Sequence, residues 1–279
     1  MSLNLDQIQP SLQAFITEDL GTGDLTASLL AGRSAHGAFL AKTAGVVAGL
    51  QIPGFVYQLL GGDWQYHPVV AEGTTVAAGT VIAEASGAMQ TLLAAERLSL
   101  NLMQRMSGIA TATAKAVATL NDPHIQILDT RKTAPGLRAF DKYAVRVGGG
   151  VNHRMGLYDC AMLKDNHWAA VGDLGAAITQ LRRVLGPTKT KKIEVEVETE
   201  AELHAAIAAS ADIIMFDNQT PETIRAWQQQ VPAGILTEIS GGITLTNLHD
   251  YANTGADSLS LGYLTNSVTN LDISFNFTE

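Results

Sequence analysis

The chain has one cysteine, Cys160, among its 279 residues, so it can build neither an intramolecular disulfide framework nor a cysteine-ligated zinc site, and a lone thiol fits a reducing compartment. Charge is scarce as well. Charged residues make up 16% of the sequence against about 25% in an average soluble protein, while hydrophobic residues reach 46%. Part of the surface must then be covered by something other than charge, and a subunit interface is the simplest cover. Basic residues are the rarer sign: the formal net charge is −9, which argues against a nucleic-acid partner or an anionic membrane surface. Met1 to Phe15 contains Asp6 and neither Lys nor Arg, so it lacks the basic and apolar regions of a secretory signal, and a cytoplasmic protein is expected. Long hydrophobic runs are missing too. The longest uncharged stretch, Thr43 to Gly62, is punctuated by Pro53, five glycines and two glutamines, and no transmembrane segment is expected.

What basic charge there is lies together. Between Arg131 and Lys164 stand seven of the 18 basic residues and only two acids, Asp141 and Asp159, a local +5 inside a chain that is otherwise −14. These cations are interleaved with glycines and apolar residues and do not form a run. That pattern suits a pocket for a small, highly charged anion better than a solvated loop.

A length of 279 residues is about twice that of a typical single domain. From about Ile125 the sequence alternates β-rich runs with helical segments, the pattern of βα units on a parallel sheet. Strands are expected at Ile125–Asp129, Ala161–Lys164, Ile193–Glu198, Ile213–Asp217, Leu236–Ile239 and Ser258–Leu261. Thr199 with Glu202 predicts a capping box, and Thr220-Pro221-Glu222 predicts a helix with proline at its first position. The N-terminal part reads as α+β, with strands near Ala38–Ala48, Trp64–Val70 and Val81–Ala85. A helical stretch from Thr91 to Leu120, expected to break at Ser107-Gly108, leads from one part to the other.

Each expected barrel strand ends in polar residues: Asp129-Thr130-Arg131-Lys132, Lys164-Asp165-Asn166-His167, Glu196 with Glu198, Asp217-Asn218, Ser240-Gly241-Gly242 and Ser260-Leu261-Gly262. In α/β barrels the active site is built from the loops after the strands, and glycine turns after the last strands commonly hold phosphate. Glu194, Glu196 and Glu198 alternate with Val195 and Val197, which puts three carboxylates on one face. Directed into a barrel lumen they need cations or a metal, and Arg131, Lys132 and Lys164 could supply the match. Either an ion-pair network or, with Asp217, a Mg²⁺ site would satisfy them. Asn152-His153-Arg154 follows a triple-glycine turn, and its imidazole and guanidinium suit an anionic, carboxylate-bearing ligand.

These residues, together with Glu18-Asp19-Leu20-Gly21-Thr22-Gly23-Asp24, Ala95-Glu96-Arg97, Ser107-Gly108-Ile109-Ala110-Thr111, Pro135-Gly136-Leu137-Arg138, Lys142-Tyr143-Ala144-Val145-Arg146 and Leu157-Tyr158-Asp159, resemble the nicotinate-nucleotide pyrophosphorylase (carboxylating) family, the quinolinate phosphoribosyltransferases, almost end to end. The resemblance implies an α/β fold in which an N-terminal α/β sandwich domain (1–107) is joined to an incomplete, seven-stranded TIM-like α/β barrel (108–265), with a tail (266–279) packing back on the N-terminal domain. It implies transfer of phosphoribose from phosphoribosyl pyrophosphate to quinolinate, with loss of CO₂, to give nicotinate mononucleotide for NAD biosynthesis. Quinolinate would be bound by Thr130, Arg131, His153, Arg154 and Lys164, with Arg97 contributed by the partner subunit. Lys132, Glu196, Asp217 and Lys164 would be catalytic, with Glu196 and Asp217 serving Mg²⁺ held mainly through substrate. Lys132, Ser240, Gly241, Gly242, Ser260, Leu261 and Gly262 would hold phosphate. A homodimer with shared active sites is implied, with a hexamer as a further assembly. Ala134 and Asn266 depart from the family pattern, where threonine and histidine are usual. A transport-associated homologue on the same barrel, a Schiff-base lyase using Lys132 or Lys164, and a non-enzymatic phosphometabolite binder are the competing readings.

Overall fold

The structure is a computed structural model that describes residues 3–164, 167, 170, 172–186 and 191–278. Its chain divides into two compact units, Met1–Ala114 with Thr133–Gly149 and Thr265–Glu279, and Lys115–Lys132 with Gly150–Leu264.

In the first unit, β1 (Ser34–Ala41), β3 (Trp64–Pro68), β5 (Thr80–Ala88) and β12 (Ile273–Thr278) form an antiparallel sheet in the order β12-β1-β5-β3. β2 (Gly45–Val46) pairs separately with β4 (Thr75–Val76), so the single strand expected over Ala38–Ala48 is two, parted after Ala41. The core here is aromatic: Phe39 and Tyr57 are fully buried, and Phe39 packs on Phe275 with ring centroids 4.7 Å apart. The uncharged stretch flagged above contributes β2 and the helix Ile52–Leu60, whose Ile52, Pro53, Val56 and Tyr57 are buried. Among the described residues no helix is long and apolar enough to cross a membrane.

The helix Met89–Leu120 runs without a break through Ser107-Gly108, against expectation. Gly108 serves close approach and not termination: a Cβ there would collide with the Thr269 carbonyl oxygen and come within 3.0 Å of the Asn270 Cα. The segment 133–149, assigned by chain order to the barrel, belongs to the first unit. Its helix Arg138–Val147 is held there by the Arg105 guanidinium, which donates to both carboxylate oxygens of buried Asp141 at 2.7 and 2.8 Å, and by Phe140 against Phe15.

In the second unit β6 (Gln126–Leu128), β7 (Ala161–Leu163), β8 (Ile193–Val197), β9 (Ile213–Asp217), β10 (Leu236–Ser240) and β11 (Ser258–Ser260) pair in parallel in the order β6-β11-β10-β9-β8-β7. Leu128 also bridges Val151 in parallel on the other side of β6, so last strand meets first and Val151 stands in the seventh position. Among the described residues no ladder joins Val151 to β7, and the ring is an incomplete barrel. The capping box of the helix Glu200–Ala208 is present, with Thr199 and Glu202 bonding reciprocally, and Pro221 begins the helix Pro221–Gln228.

Candidate active site

Alternation along the strands divides the barrel lumen in two. Side chains two residues apart point the same way, and in each strand the later residue faces the C-terminal end. Thr130, Met162, Glu196, Met215, Ser240 and Ser260 line an upper cavity of about 480 Å³. Leu128, Cys160, Glu194, Ile213, Glu238 and Ser258, each two positions earlier, line a lower cavity of about 540 Å³. His153 and Arg154 line both.

The upper cavity gathers most of the residues singled out from the sequence: Thr130, Arg131, Lys132, His153, Arg154, Lys164, Glu196, Asp217, Ser240, Gly241, Gly242, Ser260 and Gly262. Ladder register explains part of this convergence. Leu163 pairs with Val195 and Ser240 with Asp217, which sets Lys164 beside Glu196 and the Ser240 turn beside Asp217. Lys164 Nζ forms an ion pair with Glu196 Oε2. Carboxylate oxygens of Glu196, Glu198 and Asp217 lie within 4.8 Å of one another, a hard-oxygen set that fits Mg²⁺. Glycine is required at 241, where φ is +90° and a Cβ would collide with the Asn218 side chain and stand 2.7 Å from its backbone nitrogen. Asn218 N donates to Ser240 O at 2.9 Å, so the turns after β9 and β10 are tied together.

Two candidates stand elsewhere. Leu261 is buried and its N–H donates to Leu128 O at 2.9 Å, so it offers the cavity neither side chain nor donor. Arg97, on the helix Met89–Leu120, lies in the first unit with its side chain 58% exposed and 3.7 Å from Glu96. Asp165 and Asn166 lie outside the described residues. The +5 window is also divided: Arg138, Lys142 and Arg146 lie on a helix of the first unit, and Arg131, Lys132, Arg154 and Lys164 are its contribution to the cavity. Met162, Met215, Asn218 and Ile243 complete the lining without having been candidates. For the two methionines a signal existed, since each stands two residues before a candidate, Lys164 or Asp217.

Below the cavity the chain buries charge. Asp129 and Glu194 have no exposure and Glu238 has 2%. Asp129 accepts from Asn152 Nδ2 at 2.6 Å and from His153 N at 2.9 Å. His153 Nε2 stands 3.4 Å from both Glu194 Oε2 and Glu238 Oε2, while its Nδ1 accepts the Arg154 N–H at 2.6 Å. Burial opposes a charged His153 ring, but the two carboxylates outweigh it and raise its pKa to about 10; the Arg154 N–H works the other way, since a second ring proton would set two donors face to face. In either protonation state Nε2 carries a proton toward the carboxylates. With that proton in place the three groups form an ion-pair cluster, each carboxylate 3.4 Å from Nε2. Burial also raises the pKa of Glu194.

An α/β barrel whose strand-end cavity joins four cations, a carboxylate pair and two glycine turns belongs to the class of barrel proteins that handle small, multiply anionic phosphorylated ligands. Within that class, the chain belongs to the quinolinate phosphoribosyl transferase family: the family's N-terminal domain matches residues 24–107 and its C-terminal domain residues 109–276. A probable nicotinate-nucleotide pyrophosphorylase [carboxylating] of Bacillus subtilis is 48% identical over 99% of this chain and 95% of its own. A tobacco (Nicotiana tabacum) quinolinate phosphoribosyltransferase [decarboxylating] is 37% identical over 94% of this chain and 80% of its own. The crystal structure of NadC from Streptococcus pyogenes superposes with a TM-score of 0.94 at 38% identity, covering 100% of both chains.

Proposed function

We propose that this chain is a decarboxylating quinolinate phosphoribosyltransferase, a pentosyltransferase that converts quinolinate and phosphoribosyl pyrophosphate to nicotinate mononucleotide, pyrophosphate and CO₂. The observation that carries the reading is the convergence of two kinds of anion-binding groups in one cavity of a chain that matches both domains of the family. Arg131, Arg154 and Lys164 suit a planar dicarboxylate, and the Ser240-Gly241-Gly242 and Ser260-Gly262 turns suit a terminal phosphate. The ring nitrogen of quinolinate displaces pyrophosphate at the anomeric carbon of the ribose. Lys132 faces the departing charge, while Glu196 and Asp217 face the positive charge that develops on the sugar. Mg²⁺, held by Glu196 and Asp217 largely through substrate, would neutralise pyrophosphate oxygens when bound.

Alkylation makes the ring nitrogen cationic, so the bond to the neighbouring carboxylate can break with its electron pair retained by the ring. CO₂ leaves and that carbon takes up a proton, with no covalent enzyme intermediate. Orientation of two polyanions is the main task of the protein, which accounts for a cationic cavity in an acidic chain. The active form is a homodimer in which the partner subunit's Arg97 completes the quinolinate site.

Release of labelled CO₂ from quinolinate labelled in its 2-carboxyl group tests this directly. Release that requires phosphoribosyl pyrophosphate and Mg²⁺ together is expected. A folded protein that binds phosphoribosyl pyrophosphate and releases no CO₂ would overturn the reading in favour of the transport-associated homologue or another acceptor base.

A further inference from the structure

The lower half of the lumen contains carboxylates that the reaction does not use. Glu194 and Glu238 are nine-tenths or more buried, and among the described residues Oε1 of each has no hydrogen-bond partner. Leaving such oxygens unsatisfied costs free energy that an apolar pair of similar size would avoid. Both face His153 from below, and Asp129 grips the same turn through Asn152 and the His153 backbone.

The connections continue upward. His153 Nδ1 accepts the N–H of Arg154, and the Arg154 guanidinium donates to Cys160 O at 2.9 Å and to Met162 Sδ at 3.4 Å, at the head of β7. The Nε2–H edge of the imidazole is drawn to the two carboxylates, and the opposite edge fixes the peptide that carries Arg154. One ring thus links the floor of the lumen to a side chain of the upper cavity.

We infer that Glu194 and Glu238 are positioning residues for the quinolinate end of the site, acting through His153 to set the orientation of Arg154. This inference rests on the proposed function, because it needs quinolinate as the ligand of Arg154. Neither carboxylate touches substrate, and their effect is confined to one of the two substrates. Glu238 stands on β10 two residues before the Ser240 turn, so phosphoribosyl pyrophosphate binding is the sensitive control for an effect that spreads along the strand.

Calorimetry on the full-length protein with each substrate separates this role from general support of the fold. Glu238→Gln keeps the shape and removes the charge, and it is expected to weaken quinolinate binding about tenfold while phosphoribosyl pyrophosphate binding stays within twofold. The same substitution made in His153→Ala protein is expected to add less than twofold, because the link it acts through is already gone. Equal weakening of both substrates, or an undiminished effect in the His153→Ala background, would overturn the inference. Should Glu238→Gln fail to fold, ¹⁵N imidazole spectra of the unsubstituted protein decide, with the His153 signals identified by their loss in His153→Asn. Nε2 protonated with Nδ1 unprotonated supports the linkage, and either Nε2 unprotonated or both nitrogens protonated overturns it. If the unsubstituted protein binds no quinolinate, it is the proposed function that fails and not the linkage.

Discussion

The upper and lower ends of the barrel lumen are built from the same strands by the same rule, yet they solve opposite problems. At the upper end Arg131, Lys132, Arg154 and Lys164 outnumber Glu196 and Asp217, leaving a surplus of positive charge for a ligand to neutralise. At the lower end buried Glu194 and Glu238 face the His153 imidazole, and buried Asp129 holds the backbone of the same turn, so the carboxylates are enclosed in the protein. A shift of two residues along β8, from Glu196 to Glu194, moves a carboxylate from 9% exposure in an ion pair with Lys164 to no exposure facing His153. One strand can therefore carry chemistry and its support together, provided the ladder is stable enough to bear the cost of burying charge.

Removing charge from the upper end should break the reaction and spare the fold. Lys164 is 42% exposed but Glu196 only 9%, so the pair is half-buried and its loss leaves a largely buried carboxylate without its lysine. It also takes a cation from the cavity. Lys164→Ala is expected to lower kcat about 10²–10³-fold, the loss typical of one positioned electrostatic group, with a fall in Tm that leaves the protein folded at the assay temperature. Steady-state rates beside a melting curve check this, and a loss under tenfold would place Lys164 outside the chemistry.

A backbone change at the same end should be more selective. Gly241→Ala puts an ordinary residue at φ +90° and drives its Cβ into Asn218, so the turn must shift. Phosphoribosyl pyrophosphate binding is expected to weaken tenfold or more, and quinolinate binding far less. Gly242→Ala in the same turn is the control, since φ there is +64° and a Cβ would meet only Asn218 Oδ1 at 3.9 Å. Comparable losses for both variants would mean that backbone strain decides the effect and not the collision with Asn218.

Much of the upper end was legible in the sequence because strand termini and alternation are local signals. Asp129-Thr130-Arg131-Lys132 and Ser240-Gly241-Gly242 announce themselves at the ends of β-rich runs, and Glu194-Val195-Glu196-Val197 announces its two faces. The lower end was not legible in the same way. That Glu238 faces His153 depends on the order of strands around the lumen, which no stretch of sequence contains. Gly108 and the helix Arg138–Val147 are illegible for a related reason: local pattern suggests a break at one and barrel membership for the other, and long-range packing decides both. Leu261 was read as a member of a glycine turn, yet the ladder between β11 and β6 takes its N–H.

The smallest effect is expected where a side chain meets the linkage only weakly, as the Cys160 thiol does at 3.9 Å from Glu194 Oε2. Cys160 lines the lower cavity, and burial, reinforced by the Glu194 charge, pushes its thiol up to about 12. At pH 8 almost no thiolate exists, so alkylation by iodoacetamide should be much slower than for a free thiol with its ordinary pKa near 8.5. The Arg154 guanidinium takes the Cys160 carbonyl and not its sulfur, so Cys160→Ala keeps that bond. Activity is expected to stay within twofold of the unsubstituted enzyme, in contrast to Glu238→Gln in the same cavity. Rapid alkylation at pH 8 would mean that burial does not hold the thiol protonated, and a large loss of quinolinate affinity in Cys160→Ala would mean that the lower cavity acts as a whole on the upper site and not through His153 alone.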